Sequence, residues 1–294
     1  MNELQTKPAQ DPMKIENVSL LLKVEIDSQI ATAKAYPRDL KKCFDEAMTV
    51  ATFNQDIAES CMYAIPRDGK MIEGASIRLA EIMLNAWENI HCSTRLVKND
   101  GKFIAVEAIV IDRQKNVIYS ETVERSIMTS AKKGTPRQYS YDMQQTTAAA
   151  AASIALRKAA FRLIPKQFVE LIYEEAKKVA LGINKNQQDG KKHQENIREK
   201  AVKQFEKSGI SPEKILSYFE VQKIEDLTME HLSQMIGLKN AILSGDLKKE
   251  NAFDKSYNAE TGEVIANKAD EVNEKLGLTE QANDQPLDKE DLPY

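Results

Sequence analysis

Residues 103–127 read FIAVEAIVIDRQKNVIYSETVERSI, and this stretch decides the fold class of the 294-residue chain. Apolar and β-branched residues fill Phe103–Val110 and resume in Val117–Ile127, with a polar turn at Asp112–Asn116 between them. Alternation with a period of two on both sides of a polar turn predicts two antiparallel strands. A similar run, His91–Val97, precedes them. We therefore predict an antiparallel three-stranded β-meander.

A long helix is predicted to pack on this meander. Asp142 has a side chain that caps helices, and the helix that it would begin, Met143–Ile164, ends just before Pro165. The run Ala148–Ala152 lies inside it, and alanine both favours helices and lets a helix lie close to a sheet. The fold class is therefore α+β. Helical spacing predicts further helices within Glu16–Ile65, Ala75–Trp87 and Lys166–Leu181.

The rest of the chain forms appendages to this core. Residues 182–208 are rich in Asn, Gln, Lys and Glu, which favours a linker or an exposed helix. A small helical module follows, because Ser211–Pro212 and Thr228 have residue types that begin helices. Beyond Phe253 the apolar periodicity stops, as in disordered segments. The predicted organisation is a disordered leader (1–15), a core (16–181), a linker (182–208), a helical module (209–253) and a disordered acidic tail (254–294).

Charge is segregated along the chain. The net charge of −4 argues against a nucleic-acid partner, because binding phosphates requires a basic surface. Arg125–Lys166, however, holds eight Lys or Arg against one acid, a local balance of +7. Asp254–Tyr294 holds eleven acids against four lysines, a balance of −7. The acidic tail therefore hides a basic stretch in the net charge.

This basic stretch combines cations with aromatic rings, which suits single-stranded nucleic acid. Tyr139 and Tyr141 lie in a basic loop and offer rings for base stacking, worth about 1–3 kcal/mol per base. On the predicted helix, Lys158 and Arg162 are four residues apart and share a face. The alternative is a solvated helix face beside a charged loop. The candidate DNA-binding residues are Arg125, Lys132, Lys133, Arg137, Tyr139, Tyr141, Arg157, Lys158, Arg162 and Lys166.

Patterns typical of catalysis or of a bound metal are missing from the sequence. The three cysteines and three histidines are scattered, without the spacing of a zinc site or of a disulfide framework. Four acids lie around the meander, but their spacing indicates no metal site: Asp112, Glu121, Glu124 and Asp142. We therefore predict no catalytic residues, no metal, no cofactor and no enzymatic activity.

The same features predict where the chain resides. Residues 1–11 are polar and contain no apolar signal core, so export is not expected. No stretch approaches the roughly 18 consecutive apolar residues of a membrane span. Reduced thiols are expected for Cys43, Cys61 and Cys92. We predict a cytoplasmic chain that does not contact membranes.

Five short motifs within residues 30–180 form a recurrent pattern: Tyr36–Arg38, Ile72–Glu81, Asp142–Thr147, Ser153–Ala159 and Ile164–Lys166. This pattern resembles phage and prophage proteins associated with RecT/Redβ-like and Erf-like single-strand annealing. It implies a β-meander followed by a long helix, with DNA in a groove between them. It also implies protomers that assemble into rings or helical filaments. The basic positions that match are Arg157, Lys158 and Lys166.

A second resemblance lies at the C-terminus. The final residues resemble the acidic tip of bacterial single-strand binding protein, whose terminal aromatic residue and carboxylate enter a small basic-rimmed pocket. Lys289 interrupts the acidic run here, and Tyr294 replaces the usual Phe. The alternatives are a solubilising tail or a tail that folds back on the basic groove. The candidate partner-binding residues are Asp288, Glu290, Asp291, Leu292, Pro293 and Tyr294.

Together these patterns predict a single-stranded DNA-binding and strand-annealing protein of phage-type homologous recombination and repair, independent of ATP. The expected partners are single-stranded DNA, further copies of the chain, and a phage exonuclease or the host single-strand-binding machinery. Two alternatives remain open. One is a protein-interaction adaptor in phage replication or recombination, and the other is a metal-dependent nuclease.

Overall fold

The computed structural model describes residues 12–129, 135–183, 187–258 and 263–264. Helices and a hairpin come first along the chain, followed by the meander and then by further helices. The elements before the meander are α1 (Pro12–Ala35), α2 (Leu40–Ala51), α3 (Gln55–Ser60), β1 (Met62–Arg67), β2 (Lys70–Ala75) and α4 (Ile77–Ala86). Helix α1 begins at Pro12, so residues 12–15, which were expected in a disordered leader, are helical.

The predicted three-stranded meander is confirmed. Its strands are β3 (Ile90–Asn99), β4 (Phe103–Asp112) and β5 (Val117–Ser126), all antiparallel, with β4 in the centre. Val106 of β4 lies opposite Leu96 of β3 and Val123 of β5. Alternate residues of β4 point toward the core, which is why the sequence alternates with a period of two.

The long helix is also confirmed, as α5 (Tyr141–Leu163), and it lies across β4 and β5. Ala151, Ala155 and Ala159 follow one another at four-residue intervals and are fully buried, so the helix axis approaches the strands closely. The predicted cap Asp142 was wrong. Ser140 is the N-cap, because its backbone is extended and its hydroxyl accepts from the N–H of Met143, while Asp142 lies in the first helical turn.

The hairpin of β1 and β2 was not predicted, because residues up to Ile65 were assigned to helices. Its turn consists of Asp68 and Gly69, with φ of 51° and 77°. A two-residue turn with two positive φ values matches the twist of paired strands, and Asp-Gly is one of the sequences that favour it. Residues Met62–Ile65 are therefore strand, not helix.

The helices after α5 are α6 (Lys166–Ala180), α7 (Gln187–Lys207), α8 (Pro212–Phe219) and α9 (Met229–Leu243). Ser211 and Thr228 cap α8 and α9, as predicted. Of the two alternatives predicted for residues 182–208, a linker or an exposed helix, the structure has a helix, but α7 is not simply exposed, because it buries Ile197, Ala201 and Phe205 in the common core. These apolar residues lie four apart and form one face of a packed helix.

The predicted C-terminal module is part of the same core. Helix α9 packs on β1, where the amide of Asn240 donates to the carbonyl oxygens of Glu59 and Met62 at 2.7 and 2.8 Å. Two short strands follow, β6 (Tyr257–Asn258) paired with β7 (Glu263–Val264), so the predicted disorder does not begin at residue 254. In the parts of the chain described above, no helix is both long and apolar enough to cross a membrane.

A buried ion pair ties the N-terminal helices to the meander. Nη1 of Arg38 donates to Oδ2 of Asp112 at 2.5 Å, and Nη2 donates to the carbonyl oxygen of Glu88 at 2.9 Å. The backbone N–H groups of Gln114 and Lys115 donate to Oδ1 of Asp112. Burial on its own raises the pKa of Asp112, but these hydrogen bonds outweigh it and hold the pKa below its ordinary value.

Arg38→Ala should lower the free energy of unfolding by about 3–5 kcal/mol, because it leaves a buried carboxylate without its partner. Denaturant titration measures this. Arg95→Ala is the control, since Arg95 pairs with Glu107 near the surface, where such pairs contribute about 1 kcal/mol or less. The pKa of Asp112 is lower in the folded protein than in the unfolded chain. Asp112 therefore stabilises the fold above its ordinary pKa, and this stabilisation disappears as the pH falls through the folded pKa. If Arg38→Ala and Arg95→Ala lowered the free energy of unfolding equally, that result would contradict the importance of the buried pair.

Gly237→Ala should destabilise the protein by about 1–3 kcal/mol, although alanine is the better helix former. A Cβ at this position of α9 would lie 2.6 Å from the backbone N of Ala64 in β1. Gly74→Ala is the matched control, because nothing lies within 4 Å of its added Cβ. Thermal unfolding of both variants measures the difference. A Gly237→Ala variant as stable as the control would show that α9 does not approach β1 this closely.

Candidate nucleic-acid interface

A groove with a volume of about 330 Å³ lies between α5, β5 and the β1–β2 hairpin, and we call it the basic groove. Three predicted residues line it: Arg125 from β5, and Arg157 and Lys158 from α5. Strand pairing explains the placement of Arg125, which lies opposite the buried Ile104, on the sheet face that α5 covers. The hairpin adds Tyr63 and Arg67, which sequence reasoning missed because the hairpin itself was missed.

Tyr63 positions Arg157. The guanidinium carbon of Arg157 lies 3.8 Å from the centroid of the Tyr63 ring, in a cation–π contact. Burial raises the pKa of the Tyr63 phenol, and the charge of Arg157 opposes that rise. A stacked guanidinium is held in one plane and keeps donors along its edges, an arrangement suited to bidentate binding of phosphate.

Asp246 connects the groove to the end of α9. Nη1 of Arg125 lies 3.5 Å from the backbone carbonyl oxygen of Asp246, and only 6% of Asp246 is exposed. Burial raises the pKa of the Asp246 carboxyl, although the charges of Arg157 and Arg125 oppose the rise.

The two acids on the groove wall are engaged by other side chains. Glu73 accepts from Nζ of Lys177 at 2.9 Å and from the hydroxyl of Ser233 at 2.7 Å. Glu124 accepts from Nζ of Lys98 at 2.8 Å. Their negative charge is therefore balanced outside the groove, and the side chains of Arg157 and Lys158 dominate its α5 wall.

Aromatic and basic residues form a second group before α5. Nζ of Lys248 donates to the hydroxyl of Tyr139 at 2.8 Å and lies 5.2 Å from the ring centroid. Tyr141 is 73% exposed, and Arg137 is exposed as well. Sequence reasoning missed Lys248, because it lies 109 residues from Tyr139 and no local pattern marks it.

Arg162 and Lys166, two further predicted basic residues, do not line the groove. Arg162 shares a helix face with Lys158, as their spacing predicted, but its Nε pairs with Glu121 at 2.6 Å. Lys166 pairs with Glu170 of its own helix at 3.1 Å. Lys132 and Lys133 lie outside the described residues, as do the tail residues 288–294.

The four acids that sequence reasoning flagged stay apart. Asp112 pairs with Arg38, Glu121 with Arg162 and Glu124 with Lys98. Asp142 is exposed in the first turn of α5. No group of three or more His, Cys, Asp or Glu side chains that could hold a metal occurs in the ranges that the structure describes.

Comparison of the chain with protein-family models, with curated proteins and with solved structures gave no match.

Proposed function

We propose that this chain binds single-stranded DNA in the basic groove and anneals complementary strands in phage-type homologous recombination, without hydrolysing a nucleotide. The observation that carries the proposal is the convergence of Arg125 from β5 with Arg157 and Lys158 from α5 on one groove. The resemblance to RecT/Redβ-like and Erf-like proteins implied a groove between the meander and the long helix with Arg157, Lys158 and Lys166; Arg157 and Lys158 line the basic groove, and Lys166 does not.

The charges of the groove support phosphate binding. Arginine forms paired hydrogen bonds to phosphate oxygens, and lysine adds a mobile point charge. Arg157 is already oriented by Tyr63, so less conformational entropy is lost when a phosphate binds. Neutralising phosphates releases condensed counterions, which drives binding at moderate salt.

The groove's apolar walls favour an unpaired strand. Ile65, Ile72, Val123 and Ile154 line the groove between the cations. Only a strand whose bases are unpaired offers base faces to such walls. Tyr141, largely exposed, adds a ring on which a base can stack.

Strand annealing requires little beyond these contacts with phosphates and unpaired bases. Pairing of complementary strands is downhill, so the protein has only to reduce phosphate repulsion and keep the bases extended. Repetition of the groove in a ring or filament would extend the track, and no cofactor is needed.

The three cysteines are unpaired thiols, which supports a reducing, cytoplasmic setting. We assign recruitment of an exonuclease or of the host single-strand machinery to the acidic tail.

Replacing Arg157 and Lys158 together by Ala should weaken binding of a labelled oligonucleotide at least tenfold, because two phosphate contacts are lost. Fluorescence anisotropy measures the affinity, and circular dichroism should be unchanged. The matched control replaces Lys41 and Lys42, an adjacent basic pair on α2, and should bind as the wild type does.

The salt dependence tests the same groove. For about five phosphate contacts, log affinity should fall with log salt with a slope of about −3 to −4, and the double variant should lower that slope by about 1 to 2. A flat salt response, or full binding by the double variant, would contradict the proposal.

Repeating the assay with and without Mg²⁺ separates the alternatives, since a nuclease degrades the oligonucleotide with Mg²⁺ and an adaptor does not bind it.

A further inference from the structure

We propose that a second cavity beside the basic groove takes one unpaired base of the bound strand, and that Asp246 selects bases with an exocyclic amino group. The proposal rests on the proposed function, because the base must arrive on a strand held in the groove. It adds a base preference that the basic residues do not provide, since phosphate contacts carry no sequence information.

The cavity adjoins the groove. It has a volume of about 470 Å³ and lies between α5, the end of α9 and the start of α4. Tyr63 lines both the groove and the cavity, so the two share a wall. The phosphate and base of one nucleotide are joined through a single sugar, so a base of a strand in the groove lies next to the cavity.

The walls of the cavity suit a flat, partly apolar ring. Ile77, Ala149 and Leu243 provide apolar surface, and Leu243 is 77% exposed. The ring of Tyr63 adds to this surface, and the rest of the lining is polar: Ser60, Ser76, Arg78, Ser153, Asn240, Ser244 and Asp246. The hydroxyls of Ser76 and Ser153 donate to backbone carbonyl oxygens of Ser60 and Ala149 and are therefore occupied.

The carboxyl of Asp246 interacts with the side chains of Ser244 and Tyr63, but one of its two oxygens lacks a partner. Asp246 follows Gly245, whose φ of 77° ends the α9 segment and turns the chain toward α5. Its Oδ1 is covered and has no hydrogen-bond partner in the described part of the chain. Buried polar oxygens are nearly always satisfied, so this one indicates a donor that is missing from the free protein.

A nucleobase with an amino group supplies such a donor. An ionised carboxyl only accepts hydrogen bonds, so Oδ1 of Asp246 would take an N–H donor and repel another acceptor. Cytosine, adenine and guanine each carry an exocyclic amino group whose N–H can donate to this oxygen. Thymine has no amino group, and its one N–H lies between two carbonyl oxygens that repel the carboxyl.

Anisotropy titrations with oligo-dC and oligo-dT of equal length test this. The wild type should bind oligo-dC about tenfold more tightly, as expected for one hydrogen bond to a charged acceptor. Asp246→Ala should bring the two affinities within about twofold of each other. Ala149→Leu, which fills the cavity from an exposed helix position, should do the same, so the test does not depend on one variant. Gln145→Leu, one turn earlier on α5 and outside the cavity lining, should keep the preference.

A wild-type ratio near one, or a preference that survives both Asp246→Ala and Ala149→Leu, would overturn this inference. Failure of the proposed function looks different. In that case the wild type binds neither oligonucleotide, or replacing Arg157 and Lys158 changes neither affinity. If replacing Arg157 and Lys158 lowers both affinities, but the wild type binds oligo-dC and oligo-dT equally, the groove binds DNA and only the base site is wrong.

Discussion

The close packing of α5 on β4 and β5 is the constraint on which the rest of the structure depends. Three fully buried alanines at four-residue intervals bring the helix against the strands. Any larger side chain there would separate α5 from the sheet. Arg157 and Lys158 follow directly from this geometry, because they lie on the flank of the helix that the alanines leave uncovered. Arg125 meets them from β5 because the sheet face that α5 covers also carries this arginine.

The C-terminal helices complete the interface. Gly237 allows α9 to pack directly on β1, and Asn240 fixes it there through two backbone carbonyl oxygens. The segment after α9 then carries Asp246 to the groove and Lys248 to Tyr139. A region that composition presents as a separate module is therefore part of the binding surface. This explains why its helices share one apolar core with the meander.

The sequence predicted those parts of the molecule that depend on neighbouring residues. Alternation over residues 103–127 predicted the meander, and the alanine run predicted α5. The hairpin was missed because its strands are short, although Asp68-Gly69 marks its turn. The packing of α7 was missed because its few apolar residues are hidden among many polar ones. Contacts such as Lys248 with Tyr139 or Arg125 with Asp246 join residues more than 100 positions apart, and no local pattern encodes them.

Photo-cross-linking tests the central claim, that the basic groove is the path of the strand, most directly. A single-stranded oligonucleotide carrying a photoreactive base would be irradiated on the full-length protein, and the linked peptides identified by mass spectrometry. The account predicts cross-links in β1, in residues 149–158 of α5 and at Tyr139–Tyr141. Cross-links confined to α7 or to α2, with none in these three segments, would contradict it.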